Sequence, residues 1–153
     1  MSPAESPITW RCLPFDALHA RTLYALLQLR TQVFVMEQGC LFQDMDGADA
    51  QCFHLLGESA QGLMAYARLV PAGLKFAEAS IGRVITDARA RGTGLGHVLV
   101  REAVQALHGL WGVQPIRIGA QARLQAFYRQ HGFEPDGEIY LEDGIDHIEM
   151  VRQ

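Results

Sequence analysis

The segment Arg91-Gly92-Thr93-Gly94-Leu95-Gly96 constrains this chain more than any other. It follows a β-like run, Ala79 to Thr86, and opens a helical pattern with Leu95, Val98, Leu99, Ala103, Ala106 and Leu110 on one face, closed near Gly112. A strand entering a glycine-rich turn that starts a helix aims several backbone N–H groups at one spot. The positive end of the helix dipole adds to them. Glycine lets a phosphate approach the backbone with no side chain between. Three glycines in a helix start would each cost about 1 kcal/mol relative to Ala if helical, so packing alone is the weaker explanation. Arg89 and Arg91 can add positive charge.

Two common phosphate templates fail here. A Walker loop needs Lys and then Ser or Thr after its last glycine, and His97 and Val98 stand there instead. The dinucleotide pattern G-x-G-x-x-G, begun at Gly92, meets His97 at its last position; begun at Gly94, it meets Leu99.

A chain of 153 residues fits one domain, residues 1–153, with a single core. Its apolar content near half and charged content near a fifth exclude disordered and fibrous classes. No apolar run approaches the roughly 20 residues of a membrane span. Met1 to Pro7 lacks the regions of a secretory signal and reads as a loose lead-in, so a cytoplasmic protein is expected. Cys12, Cys40 and Cys52 are odd in number and in no metal or redox spacing, which suits small buried hydrophobes. Asp44-x-Asp46-Gly47-Ala48-Asp49 departs from a calcium loop, with Leu55 at its twelfth position, and reads as a solvated loop or an acceptor-site rim. No metal is expected.

Charge is unevenly spread along the chain. Thr31 to Ala67 carries five carboxylates and Gln130 to Val151 carries seven, with no Lys or Arg in either; seven arginines lie between Arg83 and Arg129. A basic middle between acidic ends suits a polyanionic ligand meeting a cationic one. No basic run or Arg/aromatic stripe supports nucleic-acid binding.

Further elements follow from periodicity. A strand spans Ile8 to Cys12, and Asp16 stands as N-cap for a helix reaching Gly39. Strands are expected at Cys52–Gly57, Leu63–Val70, Ile116–Gly119, Glu138–Leu141 and Ile145–Val151, with a helix from Arg123 to His131. Such an order indicates an α/β or α+β sheet domain.

Arg91-x-x-Gly94-x-Gly96 resembles the R/Q-x-x-G-x-G/A signature of the GNAT superfamily of acyl-CoA N-acyltransferases. Phe127-Tyr128-Arg129-Gln130-His131-Gly132-Phe133 resembles that family's FYxxxGF element. Arg30 to Gln38, Gly119 to Ala122 and Glu142 to Met150 are similar to its ElaA-like branch. The resemblance implies a mixed, mostly antiparallel, V-shaped sheet with flanking helices, splayed between its fourth and fifth strands, Ala79–Thr86 and Ile116–Gly119.

It also implies acetyl-CoA as acyl donor. Pantetheine would lie against Val84, Ile85 and Thr86, and pyrophosphate on the amides of Gly92, Thr93, Gly94, Leu95, Gly96 and His97. Backbone N–H groups near Val84 or Ile85 could hold the oxyanion. Tyr128 resembles the family tyrosine that protonates the departing sulfur. For the base, Glu78, Glu37, His147 and water relaying to backbone all stay open. The acceptor is expected to be a primary amine, a cationic one if the acidic segments border its site. A non-catalytic acyl-CoA-binding or sensing module is the alternative, and monomer or homodimer both remain open.

Overall fold

The computed structural model of the protein describes residues 6–153, so most of the expected lead-in, residues 1–5, lies outside the described residues. In chain order the elements are β1 (Thr9–Pro14), α1 (Ala20–Arg30), β2 (Phe53–Ser59), β3 (Gly62–Val70), β4 (Ser80–Thr86) and α2 (Leu95–Trp111). Then come β5 (Ile116–Gln121), α3 (Gln125–Arg129), β6 (Glu134–Pro135), β7 (Tyr140–Glu142) and β8 (Ile145–Arg152).

Strands β1-β2-β3-β4 pair antiparallel in one sheet; β8 pairs antiparallel with β5, β6 and β7 in the other. The sheets meet at a single parallel bridge between Ala79 and Ile116, where Arg117 N–H donates to Ala79 O at 3.0 Å. Beyond that bridge β4 and β5 have no ladder between them. This is the splay the resemblance implies, in a mixed α/β fold.

Helix α2 buries Leu95, Leu99, Val100, Ala103, Val104 and Leu107, an apolar stripe at helical spacing that packs on β3 and β4. In β5 the alternation is strict, with Ile116, Ile118 and Ala120 turned into the same core. A second apolar cluster joins Leu26, Leu29 and Val33 to Leu56, Tyr66 and Ile85, fixing α1 on the other face. No helix among the described residues is long and apolar enough to cross a membrane.

Several boundaries differ from the periodic reading. Asp16 lies in a short 3-10 turn, Phe15–Ala17, and His19 takes the N-cap of α1 without a side-chain bond. The α-helix ends at Arg30, and Thr31–Glu37 continues as a wider π-helical segment. Such a segment shifts the side-chain phase, which apolar spacing alone does not report. Strand β7 begins at Tyr140 rather than Glu138, and β6 has only two residues, one of them a proline.

The largest departure concerns the aspartates after Cys40. Arg30 is fully buried; its Nε donates to Asp44 Oδ2 and its Nη1 to Asp49 Oδ1, each at 2.7 Å. Arg68, also buried, binds Asp46 at 2.8 and 2.9 Å and Asp49 at 3.1 Å. Arg83 Nε donates to Asp44 Oδ1 at 2.8 Å. The segment is therefore neither a solvated loop nor a free acidic rim. Arg30 and Arg68 stand just outside the Lys/Arg-free window, and folding brings them back onto it. Bonding from Arg68 holds the Asp46 carboxyl below its ordinary range, although burial opposes this. Burial pushes Asp49 up, and the Arg30 and Arg68 guanidiniums outweigh it to leave it lowered.

Removing one member leaves buried charge uncompensated, which typically costs about 3–5 kcal/mol. Arg30→Ala is accordingly expected to lower the urea midpoint far more than Arg11→Ala, whose lost pair with Glu58 is part-exposed. Equal midpoints for the two variants would show that the network contributes no more than a surface pair.

Candidate active site

The splay is shaped by an irregularity in β4. Tyr66 pairs with Ile85 and Arg68 with Gly82, so Arg83 and Val84 together oppose Ala67. This is a bulge, with one extra residue in β4. Arg83 carries it at φ 51°, in the left-handed region that a non-glycine residue seldom adopts. Its ion pair with Asp44 fixes it, and its guanidinium lies 5.9 and 6.0 Å from the ring centres of Phe34 and Phe42. The buried network thus positions β4 from behind.

A pocket of about 120 Å³ opens between the sheets, with Val84, Ile118, Gly119, Tyr128, Glu142 and His147 in its wall. Tyr128 is held by edge contacts with Phe127 and Phe133, ring centres 5.1 and 5.9 Å away. Its carbonyl accepts from the amides of His131 and Phe133, closing the end of α3. Its hydroxyl makes no hydrogen bond to the described residues. Burial pushes its pKa up to about 12, so at neutral pH the phenol keeps its proton and can donate it.

The glycine turn lies between β4 and α2. Gly92 and Gly94 have φ of 80° and 82°, and a Cβ on either would meet nothing within 4 Å. Gly94 is the N-cap of α2 and offers no side chain. The amides of Gly92, Thr93, Gly94, Leu95 and Gly96 donate to no carbonyl among the described residues, leaving them for an anion at the helix N-terminus. His97 is different: its amide donates back to Gly94 O at 3.1 Å, and its ring Nδ1 sits 2.9 Å from His131 Nε2.

The two arginines are not free counter-ions. Arg89 is engaged by Asp87 through Nε and Nη2 at 3.0 and 3.1 Å. Arg91 donates to Glu37 at 2.7 Å and to Thr86 O at 3.0 Å, tying the turn to the π-helical segment and to the end of β4.

The candidate bases separate in space. Glu37 lies at the glycine turn with Arg91 and does not line the pocket. Glu78 precedes the Ala79 bridge, bonds Arg117 at 3.1 and 3.2 Å, and lines a different surface groove. Only His147 reaches the pocket wall, where Val84 and Tyr128 also lie, while Ile85 and Thr86 continue β4 toward the turn. Sequence reasoning missed Gln121, whose Nε2 donates to Gln38 Oε1 at 3.2 Å across the pocket wall, and Glu142 beside His147. Both lie in segments that resemble the ElaA-like branch, but their pairings span the splay or a strand turn and leave no local signal.

Cys40 and Cys52 are buried and Cys12 partly so; burial pushes the thiols of Cys12 and Cys52 up, away from the reactive thiolate. Cys40 lines the pocket. Direct transfer needs no thiol, so each Cys→Ala variant that still folds is expected to turn over within a few-fold of the parent. Trapping an acetyl-cysteine competent for transfer, by mass spectrometry, would overturn direct attack.

Residues 31–153 match the model of the acetyltransferase (GNAT) domain. Protein ElaA of Escherichia coli is 43% identical over 95% of this chain and 97% of its own length. The UPF0039 protein Rv2851c of Mycobacterium tuberculosis is 42% identical over 88% and 86% respectively. Among solved structures, an acyl-CoA N-acyltransferase from Pseudomonas aeruginosa superposes with a TM-score of 0.91 at 44% identity, covering 95% of this chain and 99% of that one. The structure of E. coli ElaA superposes at 0.89 and 42% identity, with the same coverage. A glycine turn with unbonded amides at the start of α2, a splayed sheet and near-full-length similarity agree: the chain belongs to the GNAT acetyltransferase family.

Proposed function

We propose that this protein is an acetyl-CoA-dependent N-acetyltransferase whose single domain binds donor and amine together and transfers the acetyl group by direct attack. The observation that carries the reading is Tyr128, a buried phenol with an uncommitted hydroxyl in the wall of the pocket that the β4 bulge also lines. Pyrophosphate would rest on the free amides of Gly92 to Gly96, with His97 left out because its amide closes the helix. Pantetheine would follow β4 at Val84, Ile85 and Thr86, placing the thioester in the splay.

In the reaction the amine nitrogen bonds the thioester carbonyl carbon, an oxyanion develops, and the C–S bond breaks as it collapses. Backbone N–H groups at the bulge supply fixed donors for the oxyanion. Tyr128 gives its proton to the sulfur, so the products are the amide and CoA thiol. The phenol is restored by a proton that the nitrogen gives up through solvent.

A screen of primary amines with acetyl-CoA, reading thiol release and N-acetylated product, tests this directly. Turnover with at least one amine class is expected. Tight acetyl-CoA binding with no transfer to any amine would instead favour the acyl-CoA sensor.

A further inference from the structure

His147 and Glu142 face each other across the turn between β7 and β8. His147 Nδ1 lies 2.8 Å from the carbonyl of Ile145, an acceptor only, so Nδ1 carries the hydrogen and Nε2 presents its lone pair. Glu142 Oε2 lies 3.7 Å from that Nε2. In the neutral ring two acceptors therefore confront each other, too far apart for a hydrogen bond of their own. Tyr140 backs the imidazole, ring centres 5.9 Å apart. Its hydroxyl is 2.9 Å from where a Cβ of Gly119 would stand, so the glycine in β5 is what lets Tyr140 seat there.

The charges around this pair leave it acidic. Asp143 lies on the turn beside it; Cys40, Arg68, Lys75 and Arg83 share the pocket. Arg68 and Arg83 are committed to Asp44, Asp46 and Asp49. Of the many carboxylates in the acidic segments, Glu37, Glu58 and Glu149 are likewise paired with arginines. Glu134 and Asp136 pair with Arg129 and Arg117. The carboxylates in the pocket wall are Glu142 and Asp143, neither of them paired with an arginine among the described residues, and Lys75 lines the same pocket.

Resting on the acyltransferase reading, we propose that His147 Nε2 and the Glu142 carboxylate form an ammonium subsite that binds the protonated acceptor amine and deprotonates it. The ammonium N–H groups bridge the two acceptors. One proton passes to Nε2, leaving a neutral amine and an imidazolium that Glu142 holds by charge. The amine then attacks the thioester, loses its second proton as the C–N bond settles, and Tyr128 protonates the sulfur. The imidazolium returns its proton to solvent, so one acceptor ammonium and one thioester yield amide, thiol and one proton. His147 is the catalytic base in this scheme and Glu142 its charge partner.

The test uses full-length protein with 15N-labelled histidine and saturating CoA, which cannot react. In the neutral ring, the 15N shifts are expected to show the hydrogen on Nδ1. n-Propylammonium chloride should move the His147 ring signals saturably, and propan-1-ol of similar size should not. Glu142→Gln should weaken the ammonium response by about tenfold, and Glu142→Asp should recover part of it. With an amine found in the screen, His147→Gln should lower kcat/KM by about 10²-fold at neutral pH, and less as rising pH supplies free amine. An Nε2–H tautomer, an ammonium response unchanged in Glu142→Gln, or a His147→Gln pH profile matching the parent would overturn the proposal. Failure of the acyltransferase reading is separate, since it would appear as no thiol release with any amine while the ring response persists.

Discussion

Gly94→Glu is expected to abolish measurable acetyl-CoA binding while the chain stays folded. The position is the N-cap of α2, at φ 82°, with open space where a Cβ would stand. A glutamate there places its carboxylate over the amides of Gly92 to Gly96, where a pyrophosphate would otherwise sit. Its left-handed backbone adds a strain of about 1–2 kcal/mol. Loss of the anion cradle and like-charge repulsion together should weaken binding at least 100-fold, or about 2.7 kcal/mol. Gly94→Asn is the control, since asparagine tolerates this backbone region and brings no charge. Titration calorimetry, with circular dichroism to confirm the fold, measures both. Parent-like affinity in a folded Gly94→Glu protein would remove the cradle from the account.

Tyr128→Phe should produce the second large effect, this time on chemistry rather than binding. The ring contacts with Phe127 and Phe133 survive, and the hydroxyl that is lost bonds no described residue, so the melting temperature should change little. If the phenol protonates the sulfur, kcat should fall about 10²-fold in an assay limited by the chemical step. An activated thioester donor with a low-pKa thiol leaving group should narrow that gap, because such a thiolate departs without a proton. Unchanged turnover with acetyl-CoA would return Tyr128 to a packing role.

The glycine turn was legible in the sequence because its determinants are contiguous. Gly92, Gly94 and Gly96 announce a turn whose amides are exposed, and no distant residue must be known to read that. Helix α2 and strand β5 were legible for a similar reason, since their apolar periods are unbroken. The division of the sheet between β4 and β5 came from the resemblance, as nothing in Ala79 to Thr86 or Ile116 to Gly119 states which strands leave off pairing. The bulge at Arg83 and Val84 depends on register with β3, and a left-handed arginine has no composition signal.

Charge was the least legible property. Counting along the chain made 31–67 look like an uncompensated acidic surface, yet Arg30, Arg68 and Arg83 close over its aspartates from α1, β3 and β4. Linear windows cannot report pairs that form across 14 to 39 positions. The candidate bases were obscured for the same reason. Glu37 was suggested by an ElaA-like segment and Glu78 by the family's fourth strand, and each is drawn off by an arginine, Arg91 and Arg117. His147 acquires its hydrogen-bonded tautomer only once the β7–β8 turn presents the Ile145 carbonyl.

The measurement that bears most directly on the central claim is an initial-velocity study varying acetyl-CoA against a primary amine, with the amide product and free CoA both quantified. The account predicts equal amounts of N-acetylated amine and thiol, and intersecting lines in the double-reciprocal plot, because donor and acceptor must occupy the splay together. Parallel lines accompanied by a competent acetyl-enzyme, or thiol released without any amide, would contradict direct transfer in a ternary complex.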